Sequence, residues 1–492
     1  MRKIPKTLNI SLCLGILFIT FLFESCLKKD LYQGKDDNGG QKNEDNVVFN
    51  QYHYPFSTEV FGPEAEITLT LNEHTIAKDI SVIIPLLKYN KTMLFMLTQD
   101  DCKQSAFCRT WAAINGKPIT NHSISERSFY YDIENLESND LPPGVYHLGK
   151  TLGSTDGNGK EVRFHFTTTL ATQWDFMNAE VSVRRGFTEN YYRFYMKSGL
   201  RWSNVVEMLN YGTGIALHDV KTDYTKNTDS LLKHFQIAQL KTKEALQGRA
   251  FKFLAEPNGN KSYVQTALMF DDIQTMTAQT GGTILVPYQV STNLDKVLLE
   301  RVFLTNESDG ISLVRSKFEK DTRERQAVHL GVHETGNGYV QLLLWLNNTY
   351  GKDGLDSLWV PSQEEYYEYN YNRQHSRVEI TTENRTIKIK VKFPNKIHFY
   401  YPSLTLNIPG IQLEKIADIS SNEAVKGLSY GSFEDGISIN IDCRKHLYEQ
   451  AEYYTEKYLS NRTNSNLKDA KYFVNILKDS EFKTRLTSKL SD

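Results

Sequence analysis

From about residue 91 to residue 370, short apolar runs alternate with segments of helical spacing, a pattern that belongs to a parallel α/β sheet or barrel. The clearest run is Met93-Leu94-Phe95-Met96-Leu97, continuous and of a length that suits a strand buried on both faces. It leads into Asp100 and Asp101. In parallel sheets and barrels, chemistry gathers at the carboxyl ends of strands. Two consecutive acids there point in different directions, so one can hold a metal while its neighbour takes a proton. The dipeptide alone is weak evidence, because Asp36-Asp37 and Asp271-Asp272 also occur, the first in a polar tail and the second in a helix-like stretch.

A second informative stretch runs from Ser198 to Tyr224. Trp202, Val205, Val206 and Leu209 have helical spacing, Gly212 and Gly214 end that helix, and Ile215-Ala216-Leu217-His218 reads as a short buried strand with a histidine at its end. A lone histidine is more often structural than a ligand, but this one occupies the same kind of strand-end position as the two aspartates. Thr225 to Gly248 reads as an amphipathic helix, and Phe251 to Gly259 as a strand running into a turn. A helix-like run leads through Met269 to Thr280, and Thr283 to Pro287 reads as the next strand. Glu161 to Thr168 alternates like a strand, with His165 read as a packing or surface residue.

The outer parts have a different texture. Residues 1–26 have a basic start, an apolar core from Leu12 to Phe23 and then Ser25-Cys26, the form of a secretory signal. Its close resembles a bacterial lipoprotein signal, with Cys26 as the lipidated first residue of the mature chain; an ordinary signal peptide or a single membrane anchor is the alternative. Residues 27–46 are polar and glycine-containing, as a flexible tether should be. They resemble the beginnings of many lipoproteins of the Bacteroides group, which implies attachment to the outer membrane on its periplasmic or cell-surface face. The chain has net charge −2; without residues 1–25, which carry Arg2, Lys3, Lys6 and Glu24, about −4 remains. That balance argues against nucleic acid as a partner. Five cysteines in 492 residues are too few for a disulfide-built scaffold. Cys102 and Cys108 either pair or remain as buried thiols.

With these stretches in hand, the order of parts resembles the NodB-like polysaccharide deacetylases, a distorted (β/α) barrel family, over roughly residues 88 to 372. Leu97-Thr98-Gln99-Asp100-Asp101 matches the strand ending in two aspartates. Gly212-Thr213-Gly214-Ile215-Ala216-Leu217-His218 matches the glycine and the strand ending in histidine, and Glu256-Pro257-Asn258-Gly259 the proline-and-glycine turn. The late strand with its histidine is Gln326 to His333, where either His329 or His333 fits, and Leu358 to Tyr369 resembles the segment that closes the catalytic domain. Two departures stand out. Thr222 occupies the place of the second metal-binding histidine, and Ala255 stands near the place of the arginine usual before the turn.

The resemblance implies a divalent metal ion, zinc first of all, on Asp101 and His218, with Asp219, Asp223 or Tyr224 as conceivable third ligands. It implies Asp100 as general base and His333 or His329 as the acid that protonates the departing sugar amine, with Glu334 able to tune His333. The expected domains are the signal 1–26, the tether 27–46, a small β-rich lead-in 47–90, the barrel 91–372, an appended β-sandwich 373–442 and a helical tail 443–492, whose tyrosines read as packing residues. The expected activity is metal-dependent hydrolysis of N-acetyl or O-acetyl groups on a carbohydrate. The alternative is a non-catalytic glycan-binding surface lipoprotein on a degenerate deacetylase fold.

Overall fold

The computed structural model describes residues 62–72, 80–120, 144–178, 199–289 and 293–491, all within one compact unit. The signal, Cys26 and the tether lie outside the described residues. Among the described residues, no helix is long and apolar enough to cross a membrane.

The first strand, β1 (Glu64–Leu71), alternates buried and accessible residues. The second, β2 (Met93–Gln99), is buried along its whole length. Its two faces serve two cores: Met93, Phe95 and Leu97 join one apolar cluster, while Leu94 and Met96 join another. That double burial is why its apolar run is unbroken. An excursion after β2 carries two small antiparallel ribbons, β3 (Ile119–Thr120) with β4 (Val145–Tyr146) and β5 (Gly153–Thr155) with β6 (Glu161–Arg163).

The parallel sheet then continues through β7 (Thr167–Leu170), β8 (Gly214–Leu217), β9 (Phe253–Ala255), β10 (Thr275–Thr277), β11 (Leu298–Leu299), β12 (Val302–Phe303) and β13 (Val328–Val332), with β14 (Leu358–Trp359) beside β2. The hydrogen-bonded order is β11-β10-β9-β8-β7-β2-β13-β12. The two ends of that order, β11 and β12, are separated in sequence by only Glu300 and Arg301. The curled sheet therefore meets itself there, and the architecture is a distorted (β/α) barrel.

Several local expectations differ from this structure. The expected strand Glu161 to Thr168 is two strands, β6 and β7, broken at Phe164-His165-Phe166. His165 packs: its Nδ1 bonds Glu365 Oε2 at 2.7 Å, and its ring fills the space over Gly212, where a Cβ would lie 2.5 Å from ring atoms. The helix-like run from Met269 to Thr280 is instead the end of the helix Lys261–Met269, a turn, and β10. Thr283 to Pro287 contributes a single bridge, Thr283 to Leu299; the barrel strands stand at 298–303, where Glu300-Arg301 interrupts the apolar pattern. Cys102 and Cys108 are free and buried.

The remaining strands are β15 (Arg377–Glu383), β16 (Thr386–Lys392), β17 (Ser403–Ile408), β18 (Ile416–Ser421), β19 (Gly427–Phe433) and β20 (Gly436–Asp442). They form two antiparallel sheets, β15-β16-β1-β18 and β17-β20-β19. The lead-in strand β1 thus lies between β16 and β18. The tail forms the helices Leu447–Ser460, Asn464–Ile476 and Glu481–Lys489, and Tyr454 stacks on Phe473 with ring centroids 4.1 Å apart. Asp469 accepts bonds from Lys117 Nζ (2.5 Å), Arg163 Nη1 (2.9 Å) and the Tyr211 hydroxyl (2.8 Å), which fixes the tail to the barrel.

The helix Gln363–His375 follows β14, capped by the Ser362 hydroxyl, and is buried although strongly polar. Its glutamates are spent on separate elements. Glu364 Oε2 accepts the Ile215 amide of β8 (3.0 Å) and Arg249 Nη2 (2.8 Å). Glu365 takes Lys88 Nζ at 3.2 Å as well as His165. Glu368 pairs with Lys252 and accepts the amides of Tyr400 and Tyr401 on the way into the C-terminal sheets.

Burial pushes Lys252 down and Glu368 up against their mutual attraction. Removing one partner strands the other. Lys252→Ala should destabilise the fold by about 3–5 kcal/mol in urea unfolding. A single-substitution cost below about 1 kcal/mol, the range of exposed pairs, would refute the assignment of this pair as a buried joint.

Candidate active site

Strand ends converge at the carboxyl mouth of the barrel. β2 delivers Asp100 and Asp101, β8 delivers His218, β13 delivers His333, and Arg301 stands in the seam between β11 and β12. After Gln99 the chain turns sharply: Asp101 and Cys102 both take left-handed backbone, with φ of 63° and 51°, a conformation that costs a non-glycine residue on the order of 1–3 kcal/mol. The turn is held by the Cys102 amide on Thr169 Oγ1 (3.1 Å) and by the Cys102 carbonyl on the Leu200 amide (2.8 Å). Gln99 secures the loop beyond it, donating to Ser105 Oγ at 2.8 Å and accepting from Thr110 Oγ1 at 2.9 Å.

This turn separates the two carboxylates. Asp100 is fully buried; Oδ1 accepts Arg301 Nη1 at 2.7 Å, and Oδ2 is buried with no hydrogen-bond partner among the described residues. Arg301 is held in turn by the carbonyls of Ala278 (3.0 Å) and Glu256 (3.3 Å). Asp101 is part-exposed, and its Oδ1 lies 3.4 Å from His218 Nε2. His218 Nδ1 contacts the Ala255 carbonyl at 2.8 Å. A carbonyl only accepts, so Nδ1 carries a hydrogen there and Nε2 faces Asp101.

The charges follow from this packing. Burial pushes the His218 imidazole down, but the negative charges of Asp100 and Asp101 outweigh it and raise its pKa to about 9. Burial pushes Asp101 up, while its bond with His218 and the nearby charges of His218, His333 and Lys103 bring it down to about 2. Lys103 Nζ lies 3.8 Å from Asp101 Oδ2 and 3.6 Å from Glu334 Oε1, so Glu334 faces this lysine at the rim.

The donors fit a divalent ion in part. With metal–ligand bonds of about 2.0–2.1 Å and near-tetrahedral angles, neighbouring ligand atoms stand about 3.4 Å apart. The Asp101 Oδ1 to His218 Nε2 separation of 3.4 Å matches one such edge. The carbonyl on Nδ1 is the outer support a ligating imidazole ordinarily has. Among the described residues, no group of three or more histidine, cysteine, aspartate or glutamate side chains is placed to hold a metal; an ion here would rest on two protein ligands.

The conceivable third ligands are engaged elsewhere or point outward. Asp219 Oδ1 accepts the Tyr263 hydroxyl (2.8 Å) and the Val220 amide (2.9 Å). Asp223 and Tyr224 are exposed. Thr222 turns its hydroxyl to Ser230 Oγ (3.1 Å) and to the Tyr224 amide (3.1 Å).

The two late histidines occupy different environments. His329 lies within β13, buried, with Nε2 on Thr98 Oγ1 at 2.9 Å; desolvation and then the charge of Arg301 push its pKa down to about 3. His333 follows the strand end, half-buried, its ring centroid 5.4 Å from that of Phe303. Arg301 is the residue that sequence reasoning missed. It reaches the Glu256 carbonyl from a different part of the sheet, and its only sequence signal was a charge inside Leu298-Leu299-Glu300-Arg301-Val302-Phe303.

A family model described as "Putative polysaccharide deacetylase" matches residues 65–491. No curated protein matches the chain.

His329 gives a pH signature. Unfolding frees its imidazole to take a proton near pH 6.5, whereas the folded group resists until about 3. Its contribution to stability is therefore present above pH 6.5 and lost as the pH falls from there toward 3. In an NMR titration, the His329 resonances should hold their neutral positions down to about pH 4. A midpoint near 6.5 would refute the environment described.

Proposed function

The chain belongs to this polysaccharide deacetylase family, and from that premise we propose that it removes acetyl groups from an N-acetylated or O-acetylated carbohydrate by metal-dependent hydrolysis. One observation carries the reading: Asp100 is fixed through Oδ1 by Arg301, while Oδ2 is buried and has no hydrogen-bond partner among the described residues. A carboxylate so oriented is a base with one oxygen committed and one free.

Asp101 and His218 would hold the divalent ion, zinc in the first instance, which when bound supplies polarisation of the acetyl carbonyl and of water. Asp100 takes the proton from the water whose oxygen adds to the acetyl carbon. Arg301 keeps the base aimed through that step, acting as a positioning residue. His333 donates a proton to the sugar nitrogen as the carbon–nitrogen bond breaks, leaving acetate and a free amine. His329 does not suit that step, because burial keeps it neutral at physiological pH.

A second reading is favoured by Thr222, whose hydroxyl is committed to the local turn: a glycan-binding protein that retains the barrel without turnover. Metal content separates the two. In the catalytic reading, the purified protein carries a divalent ion in stoichiometric amount, and Asp101→Ala loses it; sugar binding without any metal favours the binder.

We also propose that Cys26 carries the lipid that attaches the protein to the outer membrane, on the strength of the signal pattern in residues 1–26. Cys26→Ser should move the protein from the membrane fraction to the soluble one.

The activity is tested by acetate release from acetylated oligosaccharides. Asp100→Asn should lower the rate by on the order of 10²–10⁴-fold with the fold intact, and His218→Ala should remove both activity and bound metal. Arg301→Met should lower kcat with little change in KM. Turnover unchanged in Asp100→Asn and His218→Ala would overturn the proposed site.

A further inference from the structure

The loop after His218 ends its account of the site with an unused side chain. Tyr224 stands six residues past His218 and, at 69% exposure, is the most exposed large apolar side chain among the described residues. Its backbone, by contrast, is pinned. The Tyr224 amide donates to Thr222 Oγ1 (3.1 Å), and its carbonyl accepts the Asn227 amide (2.9 Å).

The whole loop is tied in the same way to its neighbours. The Lys221 amide donates to Gln173 Oε1 (2.8 Å) in the loop after β7. Asn260 Nδ2 donates to the Thr225 carbonyl (2.9 Å), and the Tyr263 hydroxyl to Asp219 (2.8 Å), both from the segment after β9. An aromatic ring left in water costs free energy, and nothing in this loop needs it for packing. A rigid backbone presenting a ring with only two side-chain torsions loses little entropy when the ring is covered. Thr222 thereby acquires a use of its own, since its hydroxyl orders the residue that displays the ring.

We propose that Tyr224 is a stacking platform for a pyranose ring of the glycan, on the loop that follows β8 at the carboxyl mouth of the barrel. A pyranose presents an apolar face of C–H bonds, which an exposed aromatic ring covers, and hydroxyls at its edge that stay in water. The proposal rests on the carbohydrate reading above.

The test compares wild type, Tyr224→Ala, Tyr224→Phe and Tyr224→Trp in the full chain, by calorimetric binding to a panel of N-acetylated oligosaccharides and by acetate release. Tyr224→Ala should weaken binding roughly 10-fold and raise KM in parallel. Its kcat should stay within about 2-fold, because the ring is outside the reacting group. Phe and Trp should restore binding to within about 3-fold of wild type. Glycan binding by wild type that is unchanged in Tyr224→Ala would overturn the platform alone. Failure of wild type to bind any oligosaccharide of the panel would overturn the carbohydrate reading and the platform with it.

Discussion

The ion pair between Asp100 and Arg301 ties the seam of the barrel to the end of β2. Two charges taken out of water cost several kcal/mol each unless geometry and further hydrogen bonds compensate. Here the guanidinium is met by Asp100 and by two strand-end carbonyls, at Ala278 and Glu256. Arg301 lies where the first and last members of the parallel order come together. The residue at the seam of the sheet is therefore also the residue that orients the Asp100 carboxylate. An arginine suits this double duty because its donors are fixed in a planar fork and its charge is not lost on burial.

The opposite end of the barrel uses the same material for another purpose. The helix Gln363–His375 is one of the most polar segments of the chain and yet one of the most buried. Its carboxylates reach the start of β8, the approach to β9, the segment before β2 and the turn into the C-terminal sheets. Apolar contacts tolerate sliding, whereas directional bonds from a single helix to several elements do not. Barrel and C-terminal sheets are thus registered against each other by charge, with the oily clusters on either side of β2 supplying the bulk attraction.

Much of this was legible in the sequence where one kind of residue repeated. Fully buried strands such as β2 and β8 show as continuous apolar runs, and their ends mark Asp100, Asp101 and His218 directly. The strands β11 and β12 escaped because a half-buried glutamate and a buried arginine, Glu300 and Arg301, stand between them, which hydropathy reads as a break. β10 escaped because Thr275-Met276-Thr277 is short and polar at both ends, and the Thr277 hydroxyl finds its partner only in the Leu299 carbonyl of the neighbouring strand. The choice between His329 and His333 also lay beyond the sequence. Both alternate onto one face of the strand, and only the depth of burial separates them. Arg301 was invisible for the same reason, since its partner is 201 positions away.

One further consequence concerns how such a chain comes to be folded. β1, at residues 64–71, sits between β16 and β18, and its partners are residues 386–392 and 416–421. Its sheet therefore has no centre until more than three hundred further residues have emerged, and early stretches of the chain must wait with an unpaired apolar strand. Loop closure of that span is entropically costly, and nonlocal pairing of this kind slows assembly. Among the described residues, the fold is sealed by joining its earliest strand to some of its last.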